Sequence, residues 1–104
     1  MTVVRRAGHH YEIRVDGQLA GIAQFRDSDN QRVFFHTETT EAFRGKGMST
    51  ALIAGALDDT RTAGLRIVPV CPAVAKYLDR HDEFADITDP VTPEVLTWLD
   101  KVLA

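Results

Sequence analysis

Two short stretches of this chain carry residue types that could do chemistry. The first is Glu41-Ala-Phe-Arg-Gly-Lys-Gly-Met-Ser-Thr50, a polar turn that runs straight into an apolar-periodic segment. Gly45 and Gly47 bracket Lys46, and Arg44 precedes them. Met48, Ser49 and Thr50 open a run with apolar residues at Leu52, Ile53, Ala56 and Leu57. A helix start has N–H groups without intrahelical partners and a partial positive charge, and glycines let an anion approach its backbone closely. Arg44 and Lys46 add full charges, so a phosphate-bearing ligand is the natural occupant. The plainer alternative is a glycine turn that only starts a helix. Two other phosphate loops are excluded. A P-loop needs Ser or Thr directly after its Lys, and Gly47 stands there; a dinucleotide fingerprint needs a third glycine where Thr50 stands.

The second stretch is Val68-Pro-Val-Cys-Pro72, with the only cysteine of the chain. A thiol at a helix start gains thiolate character and could carry an acyl group. A free cysteine is equally at home as a small buried hydrophobe. His36 is a candidate general base. Alternation places it on one strand face with Phe34 and Glu38, where Glu38 could orient it. If Phe35, Thr37 and Thr39 line the ligand instead, His36 points away and is a structural residue. Tyr77 is a candidate proton donor or a core residue, and His81 reads as a helix-end residue. His9 and His10 fall in a lead-in, and no histidine–cysteine spacing suits a metal.

The elements that must position these residues follow from periodicity. Residues 1–9 read as a frayed lead-in. Tyr11, Ile13 and Val15 alternate as a strand, Asp16-Gly17 is a hairpin turn, and Leu19 to Phe25 is the next strand. Asp27 to Asn30 turns the chain into a third strand, Val33 to Thr39. A helix from Gly47 to Ala63 stops at Gly64, and Leu65 to Val70 is a short buried strand. Pro72 starts a second helix, Asp89 to Pro93 is a linker, and Glu94 to Leu103 is a short amphipathic helix. The fold class is α+β: an antiparallel three-strand meander, then a helix crossover to a parallel strand, with flanking helices.

With 104 residues the chain reads as one domain. Apolar residues make up 44% and the net charge is −3, so nothing argues for nucleic acid. No apolar run approaches a membrane span, and the N-terminus lacks a signal core. One cysteine suits a reducing compartment, so the expectation is a cytoplasmic monomer or weak dimer.

The glycine loop resembles the acetyl-coenzyme A loop of the GCN5-related N-acetyltransferases (GNAT), Gln/Arg-x-x-Gly-x-Gly/Ala. Arg44 and Gly47 take its fixed positions, and Ser49 replaces the last small residue. His36-Thr-Glu38, Val68-Pro-Val-Cys-Pro72, Tyr77 and Arg80-His-Asp-Glu-Phe84 look like blocks of the family's short members, over roughly residues 10 to 88. Asp82 and Phe84 depart from that pattern, which has Pro and Tyr. The resemblance implies a GNAT-like sheet whose third and fourth strands splay to admit the pantetheine arm, with the pyrophosphate on the helix start. It implies acetyl-coenzyme A held by Thr37, Glu38, Thr39, Arg44, Gly45, Lys46, Gly47, Met48, Ser49, Thr50 and Tyr77. The family's recurrent cysteine favours a catalytic role for Cys71, beside His36. The implied function is an N-acyltransferase whose amine acceptor, small molecule or protein, the chain does not name. The competing reading is a coenzyme A-binding sensor or interaction module without robust turnover.

Overall fold

The computed structural model describes residues 1–104, and its centre is a five-stranded sheet in the order β1-β2-β3-β4-β5. The strands are β1 (Thr2–Ala7), β2 (His10–Val15), β3 (Gln18–Ser28), β4 (Gln31–Thr39) and β5 (Arg66–Pro69). The first four form an antiparallel meander, and β5 joins β4 in parallel. The helices are α1 (Met48–Thr62), α2 (Pro72–Arg80) and α3 (Pro93–Leu103), with 3-10 turns at Glu41–Phe43 and Asp82–Ile87.

Residues 2–7 are therefore an edge strand, not a frayed lead-in, and His10 opens β2. The turn between β1 and β2 is built on Gly8 at φ 62°, in the left-handed region that favours glycine. What holds β1 is tertiary. Val4 packs against α1 at Gly55, where an added Cβ would stand 2.8 Å from the Val4 Cγ1. Only a glycine allows that approach, and the pairing partner lies some fifty residues away in sequence.

The sheet separates two apolar layers. On one face Tyr11, Phe25, Phe34, Leu52, Leu57, Ile67, Cys71 and Val74 belong to the main core under α1 and α2. On the other, Val33, Val68 and Leu99 form a smaller core to which Phe35, Val95 and Trp98 add, under α3. The main core carries a polar network at its edge. Tyr11 Oη donates to Asp59 at 2.6 Å and accepts from Arg32 Nη1 at 2.6 Å, while Arg32 also engages Asp27. Burial, then the Asp59 hydrogen bond, pushes the Tyr11 phenol up to about 12.

The segment expected as a linker is docked against β5. Thr88 bridges Ile67, the Asp89 N–H donates to the Ile67 carbonyl at 2.8 Å, and the Asp89 carboxylate pairs with Arg66 and Gln31. Thr92 then caps α3 through its side-chain oxygen, which accepts from the Val95 N–H.

Candidate functional site

β4 and β5 stay together over only four pairs, Gln31↔Arg66 to Phe34↔Pro69. The last link is the Cys71 N–H donating to the Phe34 carbonyl at 2.8 Å. Beyond it, His36 to Thr39 of β4 have β3 on one side and no strand on the other. The Thr40 N–H turns towards β3, donating to the Ala20 carbonyl. Backbone groups alternate sides along a strand, so those of Thr39 and Thr37 face the open side.

A register shift decides what the β4 side chains face. Phe25 pairs with Phe34 and Gln24 with His36, which leaves Phe35 as an extra residue in β4. One such residue reverses the faces of all that follow. Phe34, Thr37 and Thr39 thus share the α1 and α2 face, while His36 and Glu38 look the other way. The expected grouping of His36 with Phe34 is overturned by this bulge, and the pairing of His36 with Glu38 is present: Nε2 lies 3.3 Å from Oε2.

Cys71 is buried in the main core and its thiol donates to Thr37 Oγ1 at 3.3 Å. It occupies the N-cap position of α2, yet its side chain caps no N–H of that helix. The structure brings Cys71 to Thr37 and not to His36, which sits on the opposite face beside Glu38.

The glycine loop follows at once. Gly45 and Gly47 have φ of 75° and 74°, and a Cβ on either would meet nothing within 4 Å. Gly47 is the N-cap of α1 and has no side chain to satisfy the first turn. The N–H groups of Met48, Ser49 and Thr50 therefore lack intrahelical partners. Arg44 and Lys46 stand exposed beside them, and Lys46 Nζ lies 5.8 Å from the Phe43 ring centre. The arrangement fits a pyrophosphate: open backbone donors, glycines at the approach and two cations.

Between α1 and α2 lies a cleft of about 350 Å³. Ser49, Thr50 and Ile53 line one wall, and Lys76, Tyr77, Arg80 and His81 line the other. Tyr77 is a core residue whose hydroxyl donates to Glu83 at 3.1 Å, and its ring stacks on His81 at 4.1 Å. Burial and then Glu83 push the Tyr77 phenol up. The sequence reading gives Lys76 and Arg80 no site role, although Arg80 opens one of the family-like blocks. Their spacing of four residues on one helix face was the available signal, but only packing shows that this face looks at the start of α1.

A model of a family described as GCN5-related N-acetyl-transferase matches residues 10–87 of the chain. A comparison with curated protein sequences finds no match. Among solved structures, the solution structure of a GCN5-like protein from Staphylococcus aureus is similar, with a TM-score of 0.65 at 17% identity. That similarity covers 88% of this chain and 91% of the other. The ribosomal-protein-S18-alanine N-acetyltransferase of Escherichia coli is similar with a TM-score of 0.57 at 12% identity, over 72% of this chain and 53% of that one. At these identities the likeness to both is one of fold.

Proposed function

This chain belongs to the GCN5-related N-acetyltransferase family, and from that premise we propose that it moves an acetyl group from acetyl-coenzyme A to an amine. The observation that carries the reading is the end of β4–β5 pairing at Phe34↔Pro69, directly before the Gly45–Gly47 loop and the start of α1. Open strand edge, glycine loop and helix start form one continuous track of backbone donors. The pyrophosphate lies on Met48, Ser49 and Thr50, with Arg44 and Lys46 beside it. Lys76 and Arg80 supply further positive charge across the cleft for the ligand's remaining phosphate.

Bound there, acetyl-coenzyme A supplies a thioester whose carbonyl an amine can attack. One N–H group of the open edge, that of Thr37 or of Thr39, hydrogen-bonds that carbonyl oxygen, and the fixed strand edge orients it. The amine must arrive uncharged; His36, held by Glu38 on the sheet face opposite Thr37 and Cys71, is a candidate to take its proton only if the amine comes from that side. Cys71 lies against Thr37 without a base of its own, and its thiol is a donor in that contact. This geometry supports direct attack by the amine better than passage of the acetyl group through the thiol.

A second reading keeps the ligand and drops the turnover: a coenzyme A-binding sensor or interaction module. The turning of His36 to the sheet face away from Thr37 and Cys71, which leaves no base on their side, favours it. Calorimetric titration with acetyl-coenzyme A, followed by acetyl transfer to a panel of amines, tests both. Binding with transfer supports the enzyme, and binding without transfer to any amine supports the module. Absence of binding defeats both.

A further inference from the structure

We infer that β1 is a self-association edge: two copies of this chain pair their β1 strands antiparallel, about a two-fold axis at Val4, and join their five-stranded sheets into one. The inference is independent of the acyltransferase reading. β1 lies outside residues 10–87, which carry the family match, and three strands from β4, about 14 Å away.

The two edges of the sheet differ. At β5, Thr88 bridges Ile67 and the Asp89 N–H donates to the Ile67 carbonyl, so the chain's own backbone covers that edge. No strand or bridge covers β1. Edges are ordinarily blunted by bulges, prolines or charges. The register of β1 with β2 runs through six pairs without a bulge, and the strand holds no proline. Its two charges are tied down within the chain, on opposite faces of the sheet. Arg5 meets Glu12 at 3.1 Å, and Arg6 reaches Asp59 on α1 at 3.8 Å.

Pairing with β2 fixes which backbone groups of β1 are free. The Asp16 N–H donates to the Met1 carbonyl at 2.9 Å, so alternation turns the groups of Val3, Arg5 and Ala7 towards β2 as well. Those of Thr2, Val4 and Arg6 point outward. Centred on Val4, symmetric pairing joins all three: Val4 meets the partner's Val4, and Thr2 meets the partner's Arg6. Val3, 40% exposed, then lies beside the apolar stem of the partner's Arg5. Centred on Arg5 or Arg6, the same pairing sets like charges directly opposite, which is destabilising. Centred on Val3, it leaves Arg6 without a partner. Charge therefore selects the Val4 register, in which the edge is complementary to itself, and a second copy is the occupant that fits.

The test is sedimentation equilibrium of the full chain over a wide concentration range, with amide hydrogen exchange followed by nuclear magnetic resonance on the same samples. A monomer–dimer equilibrium is expected, and exchange at Val4 and Arg6 should slow as the dimer fills. Arg6→Pro removes an outward donor without touching the β1–β2 hydrogen bonds, and should raise the dimer dissociation constant about tenfold or more. Thr2→Arg, facing the partner's Arg6, should also raise it, and Thr2→Glu should lower it. The net charge of −3 makes general repulsion predict the reverse order for those two variants. Each variant is checked for an intact fold by its spectrum. A monomer at every concentration would leave the edge to some other occupant and overturn the inference. So would a dimer whose Val4 and Arg6 amides stay unprotected, an unchanged constant in Arg6→Pro, or the reverse order in the Thr2 variants.

Discussion

The Cys71 thiol donates to the Thr37 hydroxyl across 3.3 Å, which joins the start of α2 to the strand edge just before the glycine loop. The contact is between a donor thiol and a neutral hydroxyl, and no imidazole takes part. Cys71→Ser can keep the same hydrogen bond with a shorter reach. It should retain most acetyl transfer, and mass spectrometry of the wild-type protein with acetyl-coenzyme A should show no added acetyl group. A one-acetyl mass gain that disappears in Cys71→Ser, together with lost transfer, would establish the covalent route instead.

Gly47→Asp should weaken acetyl-coenzyme A binding by more than tenfold, about 1.4 kcal/mol. It puts a carboxylate among the backbone donors of α1 and an L side chain at φ 74°. Arg44→Ala should cost less, and its effect should shrink as salt rises, because the backbone donors remain. Calorimetry on folded variants reads both, and unchanged affinity in Gly47→Asp would remove the loop from the binding site.

Glu12 makes acid stability a local property of the outer sheet face. Its hydrogen bonds from Arg14, then Arg5 and His10, hold its carboxyl at about 2, against an ordinary 4.5. The folded value is depressed, so the contribution is complete above pH 4.5 and is lost as pH falls towards 2. Thermal melts should fall more steeply over that window in the wild type than in Glu12→Gln. Parallel curves would show that Glu12 contributes nothing to acid stability.

Gly55→Ala should destabilise the fold by about 1–3 kcal/mol, because its new methyl would press on Val4 and push β1 off α1. A Val4→Ala change in the same chain should recover part of that loss, since it removes the opposing methyls. Chemical denaturation measures both, and additive losses would mean that the two positions do not meet.

Tyr11→Phe should cost about 1–3 kcal/mol, since it leaves Arg32 Nη1 and the Asp59 carboxylate without their shared buried partner. The same denaturation curves read it. A change near zero would show that water replaces the phenol without loss.

Local chemistry wrote much of this protein plainly into its sequence. Asp16-Gly17, with φ of 50° and 85°, turns one hairpin; Gly64 at 74° closes α1; and Pro72 opens α2. Each depends only on neighbouring residues and their permitted dihedrals, and so does the glycine loop that starts α1. The α+β class and the parallel joining of β4 and β5 follow from the periodic segments those signals separate.

What the sequence did not determine are relationships between residues distant in the chain. Residues 2–7 become a strand because Val4 finds Gly55, and no local pattern announces that contact. One extra residue at Phe35 sends Thr37 towards Cys71 and turns His36 and Glu38 together to the opposite face from Phe34. Alternation read from sequence assumes an unbroken register, and register belongs to the pairing with β3, not to β4 alone. The same holds for Lys76 and Arg80, whose place in the cleft depends on how α2 packs against α1. Propensity and turn chemistry are short-ranged and legible residue by residue. The facing of side chains across a sheet or a cleft is settled only when the whole core closes.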